Sequence, residues 1–427
     1  VKICIVSQTF APQAEGGAEI SARVGATELA KKHDVTVLAL GKVGDPLAPP
    51  GETRLANNVR VVRLPWKNSY LPGHIKPSAN FARRAAWHLR TAFGALCVEG
   101  LTEFFRRENF NLIYAQNSSY MQPAIFHAAD DAGIPICLHL RDYALLCPKT
   151  SMFRRGDNCA TPCFDCSLIN RRVRLRGNGM AVIAVSNFVK QRFIENGVLA
   201  EADWHVMHNK NTPLQSFDTS IVGRTKPAGQ IFTFGYLGAL SQEKGVPELI
   251  EAFKALPAGS NARLVVGGRG RPSEEDCIKR LGAVANVEFR GFVAPQEIYR
   301  IADAVVVPSL WHEPQSRILV EAGVYGVPVI GSTRGGTPEI VEAEKTGWCY
   351  NPAQPGALAR LLEKAASIGP ERWWQRRDEL FPGIGSFDGT AEQSGYYDTL
   401  DEILTKAAVG PSRVNDAPDQ QTWSTIS

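Results

Sequence analysis

Short apolar runs separated by polar breaks recur along most of the chain. Residues 1 to 40 read as a strand (Ile3 to Ser7), a loop (Gln8 to Gly17), a helix (Ala18 to Lys32) and a second strand (Asp34 to Leu40). Residues 231 to 267 repeat the scheme, with a strand from Ile231 to Leu237, a loop from Gly238 to Gly245, a helix from Pro247 to Leu256 and a strand from Arg263 to Val266. Unbroken apolar runs fit strands covered on both faces, and helix-period segments between them serve as parallel crossovers. Each half therefore opens like a doubly wound α/β domain. Asn209 to Gly229, with Pro213, Pro227 and Gly229 and no strong periodicity, reads as the linker between a domain at 1–210 and one at 228–386. Ala391 to Lys406 has the apolar and aromatic spacing of a closing helix, placed at 387–407, returning to the first domain. The polar, Pro- and Ser-containing residues 408–427 read as a disordered tail.

A third stretch carries candidate chemistry. Ala304 to Val307 is a buried-strand pattern stopped by Pro308, Ser316 to Tyr325 has helical spacing, and Val327 to Ile330 is a further strand. Glu313 then lies in a strand-to-helix loop, Glu321 lies inside the helix, and Ser332 to Gly336 leaves the carboxyl end of the next strand. Amides at a helix start are unsatisfied donors at the positive end of the dipole and suit a phosphate. Glu321 can accept from two vicinal hydroxyls, and Glu313 from a second polyol. A nucleotide diphosphate sugar has that order of groups: ribose, diphosphate, hexose. The plain alternative is a surface-turn glutamate and an ordinary helical carboxylate.

The 427 residues, 44% hydrophobic and 21% charged, suit a globular protein with two domains. A net charge of +4, without an aromatic-plus-basic motif, argues against a nucleic-acid partner. No apolar stretch approaches the roughly 20 residues of a membrane span, and the chain enters its first strand directly, so a cytoplasmic location is expected. Neither half has G-x-G-x-x-G after its first strand, which counts against a dehydrogenase. Among nine cysteines, Cys147, Cys159, Cys163 and Cys166 cluster in a loop and could hold structural zinc, or an iron–sulfur cluster, or be reduced thiols.

The chain resembles the retaining GT-B glycosyltransferases of the family 4 type, which include bacterial polysaccharide and mannosyl transferases. The resemblance spans nearly the whole chain and rests on landmarks in order. They are Gly16-Gly17-Ala18-Glu19, Arg141-Asp142-Tyr143 before Cys147-Pro148, Ala184-Val185-Ser186-Asn187-Phe188, Gly238 to Gly245, Arg290-Gly291-Phe292-Val293, the Glu313 and Glu321 pair, and Gly335-Gly336 with Glu339. It implies two Rossmann-like domains facing across a cleft, with the donor on the C-terminal one. It assigns Glu313 to the sugar hydroxyls, Glu321 to the ribose, Lys244 to the diphosphate and the Phe292-Val293 backbone to the base. Gly16-Gly17 and the Gly238 and Gly335-Gly336 loops would bring backbone close to the donor. Ser186 and Asn209 fall on motifs too, although capping and turn formation explain them equally.

Two positions depart from the family pattern. Ala239 stands where many relatives have arginine, which makes Arg317, at the start of the phosphate-facing helix, the candidate second cation. A solvent-facing Arg317, or one paired with Glu321 at i,i+4, is the alternative. Arg141 stands where many have histidine before the acceptor-side aspartate, and period-two alternation puts His139 on the same face as Arg141. A satisfied strand histidine is the alternative there.

The implied reaction moves a sugar to an acceptor hydroxyl with retention, requires no metal or other cofactor, and uses Lys244 and helix amides to stabilise the departing diphosphate. A retaining glycosidase and a non-catalytic sugar-nucleotide binder are the rivals. The acceptor would be a glycan or a lipid-linked sugar. Basic stretches at Ala82 to Arg90 and Arg171 to Arg176 could place the protein against an anionic membrane face, although such runs are also ordinary solvated surface.

Overall fold

The computed structural model describes all residues except 11–16, 42–48, 56–58, 66–97, 99, 119–120, 148, 164–165, 167–176, 178, 210–228, 285, 343–344, 385–388 and 411–427. Gly16, both basic stretches and the tail beyond Gly410 therefore lie outside the described residues. The chain divides into two compact units, one comprising 1–151, 160–211 and 394–427, the other 152–159 and 212–393.

The strands in chain order are β1 (Lys2–Ser7), β2 (Asp34–Gly41), β3 (Gly51–Arg54), β4 (Arg60–Pro65), β5 (Leu112–Asn117), β6 (Ile136–Leu140), β7 (Phe153–Arg154), β8 (Asp157–Asn158), β9 (Ala181–Ala184) and β10 (Asp203–Val206). In the first unit they form one sheet in the order β10-β9-β6-β5-β1-β2-β4-β3, parallel except for the β3–β4 edge pair. Its inner strands β1, β2, β6 and β9 are largely apolar without alternation because both faces are covered. Tyr396, Tyr397, Leu400, Ile403 and Leu404 of the helix Gly389–Val409 join the same core as Ile3, Ile5 and Val37. Asp401 of that helix pairs with Lys32 at 3.0 Å and with His33 at 2.7 Å, which fixes the helix to the first unit at its polar edge as well.

The second unit contributes β11 (Phe232–Leu237), β12 (Ala262–Gly267), β13 (Val287–Gly291), β14 (Ala304–Val307), β15 (Val329–Ser332) and β16 (Gly347–Tyr350). All pairs are parallel, in the order β13-β12-β11-β14-β15-β16. The helix Val246–Lys254 between β11 and β12 buries Val246, Leu249, Ile250 and Phe253, one face at helical spacing. Chain order reverses between β11 and β14. Crevices outside the carboxyl ends of strands at such a reversal are where open α/β sheets bind ligands.

Two of the differences from the sequence reading have a clear physical reason. β15 begins at Val329 rather than Val327, since Pro328 has no N–H to give the ladder, although its carbonyl accepts from Val305 N at 2.9 Å. Residues 152–159, expected inside the first domain, form the β7–β8 hairpin and belong to the second unit.

Candidate active site

Three loops interlock at the carboxyl ends of the adjacent strands β11, β14 and β15. Gly245 has φ 71°, and a Cβ there would lie 1.9 Å from the Pro308 carbonyl oxygen, so the loop after β11 presses directly on the exit of β14. Leu310 N and Trp311 N both donate to Glu243 O, at 3.0 and 3.2 Å. Gly335 has φ 67° and would put a Cβ 2.0 Å from Glu313 O, while Gly336 N donates to that oxygen at 2.9 Å. The Gly-Gly pair thus lets the loop after β15 seat the backbone of Glu313. The Gly336 amide is already used within the protein.

Lys244 and Glu313 meet in this frame. The Lys244 ammonium donates to both carboxylate oxygens, at 2.9 and 2.7 Å. Ser309 Oγ at 3.0 Å and Trp311 Nε1 at 2.9 Å also donate to Glu313 Oε2. The Trp311 ring lies 5.0 Å from the Lys244 nitrogen, within cation–π range. Glu313 is 7% exposed. A buried carboxylate needs such compensation, because desolvating an unpaired charge is costly.

Glu321 projects from the helix Arg317–Val324. Tyr299 donates its hydroxyl to Glu321 Oε2 at 2.9 Å. Burial first, then the Glu321 charge, push the Tyr299 phenol well above its ordinary range, which keeps it a donor. Arg317 Nε lies 3.4 Å from Glu321 Oε1, the i,i+4 pairing, with side chains 13% and 15% exposed. Arg317 is therefore engaged one turn along its own helix, the alternative that the sequence left open. Arg317→Ala is accordingly expected to raise the KM for a donor about fivefold, the loss of roughly 1 kcal/mol of Glu321 ordering, and to leave kcat within about threefold. Steady-state kinetics with the donor varied checks this; a kcat loss near 10²-fold would return Arg317 to the leaving group. Ser316, at the N-cap, makes no side-chain capping bond, although its carbonyl accepts from Leu319 N at 3.3 Å.

Gly238, at φ 143°, and Gly268, at φ 140°, form the floor of the loop after β11; a Cβ on Gly268 would lie 1.8 Å from Gly238 O. Ala239 is exposed, with its carbonyl accepting from the buried Tyr236 hydroxyl at 2.7 Å. Phe292 is 84% exposed, while its neighbour Val293 packs on the core.

In the first unit, Gly17 opens the helix Gly17–Leu29. His139 and Arg141 do share a face, Arg141 Nη2 lying 3.4 Å from His139 Nδ1. His139 is nonetheless enclosed, 1% exposed, and Tyr114 Oη lies 2.6 Å from Nδ1. Burial, then the Arg141 charge, push the imidazole well below its ordinary pKa and keep it neutral. A substrate-contacting role for His139 is therefore corrected to support of Arg141. Arg141 is partly exposed and donates to Asn209 Oδ1 and to Gln116 Oε1 at 3.3 Å. Ser186 caps the helix Asn187–Glu195, accepting from Val189 N at 3.2 Å.

Two family models match. The 4-like glycosyl transferase domain covers residues 16–210, and glycosyl transferases group 1 covers residues 222–375. The chain belongs to the family 4-type GT-B glycosyltransferases. This glycosyltransferase is 22% identical to an uncharacterized 42.6 kDa protein in the cps region of Klebsiella pneumoniae, over 80% of this chain and 87% of the other. It is 25% identical to the putative glycosyltransferase YtcC of Bacillus subtilis, over 83% and 80%. Its fold is similar to Anabaena Alr3699/HepE in complex with UDP, with a TM-score of 0.63 and 21% identity, covering 94% of this chain and 100% of that one. The UDP-glucose complex of the Anabaena protein gives a TM-score of 0.61 and 21% identity over 94% and 99%.

Three of the four clustered cysteines of the glycosyltransferase meet in the first unit, where Cys147 and Cys163 both hydrogen-bond with Cys166. Cys163 Sγ lies 3.5 Å from Cys166 Sγ. Among the described residues no three His, Cys, Asp or Glu are placed to hold a metal ion. The hydrogen bond with Cys147 and then burial push the Cys166 thiol far up, the condition of an unreactive protonated thiol. Sequence reasoning missed Ser309, Trp311 and Tyr299. The run Ser309-Leu310-Trp311-His312-Glu313 held a signal for the first two in its local donors; Tyr299, from another helix, had none.

Proposed function

We propose that this glycosyltransferase moves a sugar, with retention at the anomeric carbon, from a nucleotide diphosphate sugar to a hydroxyl of a glycan or lipid-linked acceptor. The observation that carries the reading is the meeting of Lys244 and Glu313 where chain order reverses between β11 and β14, with Glu321 on the helix that follows. The Anabaena neighbour solved with UDP and with UDP-glucose supports a nucleotide-sugar donor in this fold. Glu321, ordered by Tyr299, accepts from ribose hydroxyls; Glu313 accepts from the hexose; Lys244 and the first-turn amides receive the diphosphate.

Charge builds on the departing diphosphate in the transition state, and a preorganised cation is worth more there than in the ground state. Lys244 supplies it while staying within reach of Glu313. The leaving phosphate oxygen can take the acceptor proton on the same face, so neither a protein nucleophile nor a catalytic metal is needed. Both carboxylates are bound by cations and neutral donors. Neither has the apolar surroundings that a glycosidase general acid requires. Among the described residues no helix is long and apolar enough to cross a membrane. The reading places the enzyme in the cytoplasm, with a lipid-linked acceptor reached at the inner membrane face.

The test supplies a panel of nucleotide diphosphate sugars, uridine donors first, with and without acceptors and a chelator, following nucleoside diphosphate release and the anomeric configuration of the product. Transfer needing both substrates, insensitive to chelator and retaining configuration, is expected. Binding without release would make the protein a sugar-nucleotide binder, and an inverted product would remove the retaining assignment.

A further inference from the structure

The hairpin that joins the second unit from within the first stretch of sequence reaches the donor-site loop through one side chain. Phe153 pairs with Asn158 and Arg154 with Asp157, across a turn in which Arg155 (φ 56°) and Gly156 (φ 84°) are both left-handed, as a two-residue hairpin favours. Asn158 Nδ2 donates to Leu310 O at 2.7 Å, and Asn158 Oδ1 accepts from His312 N at 2.7 Å. These two peptide groups flank Trp311. Only an amide can serve both, since it carries a donor and an acceptor on one rigid group; aspartate would face the Leu310 carbonyl with a second acceptor. From the other direction Glu243 O accepts from Leu310 N and Trp311 N. The backbone of Trp311 is pinned from two sides, and its indole in turn touches both charged groups of the site, at 2.9 Å to Glu313 Oε2 and 5.0 Å to Lys244 Nζ.

We propose that Asn158 is a positioning residue for the donor site, fixing Trp311 and through it the orientation of Glu313 and Lys244. The inference rests on the glycosyltransferase reading above for its kinetic consequence, and on geometry alone for its structural one. Trp311 is the only link it requires, so Asn158 and Trp311 should behave as one unit.

The experiment uses the full chain as Asn158→Ala, Asn158→Asp, Trp311→Phe and the Asn158→Ala/Trp311→Phe double variant. Donor kcat/KM is expected to fall about tenfold or more for Asn158→Ala, the scale of a small misplacement of catalytic groups, with acceptor KM unchanged. Asn158→Asp, keeping one of the two bonds, is expected between alanine and wild type. The double variant should be no worse than the weaker single variant beyond about twofold, as groups acting in series are non-additive. Independently of turnover, the emission difference between chains with and without Trp311 should shift to the red when Asn158 is alanine. Multiplied losses in the double variant, an Asn158→Ala enzyme within about twofold of an active wild type, or an unmoved Trp311 emission would each overturn the proposal. An inactive wild type would instead count against the glycosyltransferase reading, and the emission result would still decide the positioning.

Discussion

Lys244→Ala is expected to lower kcat for sugar transfer by about 10²-fold or more, the usual loss when a preorganised charge donor to a developing anion is removed. The Lys244 ammonium is bonded to both Glu313 oxygens, so its removal also strips a carboxylate that is 7% exposed of its cation, leaving Ser309 and Trp311. Part of the effect will therefore come from a displaced Glu313. Combining Lys244→Ala with Glu313→Gln separates the two contributions. If the pair acts as a unit, the double variant will be no slower than the slower single variant; if lysine serves only the diphosphate and glutamate only the sugar, the two losses in kcat/KM will multiply. A Lys244→Ala enzyme with kcat within about threefold of wild type would remove the lysine from the leaving-group role.

Gly335→Ala is expected to abolish most activity and to lower stability by about 2 kcal/mol or more, through two separable costs. The residue has φ 67°, where a Cβ is strained by roughly 1 kcal/mol, and that Cβ would lie 2.0 Å from Glu313 O, a collision that only backbone movement can relieve. Movement of that backbone carries the Glu313 carboxylate with it. Gly259→Ala is the control, since Gly259 has φ 89° and nothing within 4 Å of the added carbon. Denaturant midpoints and kcat for the two variants should show strain alone at 259, and strain with loss of turnover at 335. Equal behaviour would mean that the seat of Glu313 yields easily.

The β-α-β arrangement around Glu313 was readable because each apolar run has one period and clear proline or glycine punctuation. The partnership of Glu313 with Lys244 was not, since 69 residues separate them and only the order of β11 and β14 in the sheet brings them together. For Arg317 the structure shows the local i,i+4 partner that the sequence left open beside the distant role inferred from a family departure. For His139 the alternation argument named the right face. It failed on exposure, because β6 lies between β5 and β9 and all five of its residues are buried. The β7–β8 hairpin carries only two residues per strand, too short for any periodicity to register.

The helix Gly389–Val409 puts five side chains into the core of the first unit, and the hairpin at 152–159 belongs to the second. The order of synthesis is therefore at odds with the order of assembly. As the chain leaves the ribosome, the sheet from β1 to β10 is complete long before the helix that covers it, and the hairpin emerges before the loop that it grips. The first unit cannot finish until that helix has been made, so it cannot close cotranslationally before the second, whereas multidomain chains commonly complete their domains in order of synthesis. An N-terminal fragment stopping in the linker should stay open along the surface that Leu400 and Leu404 cover, and supplying residues 389–409 as a separate peptide should close it.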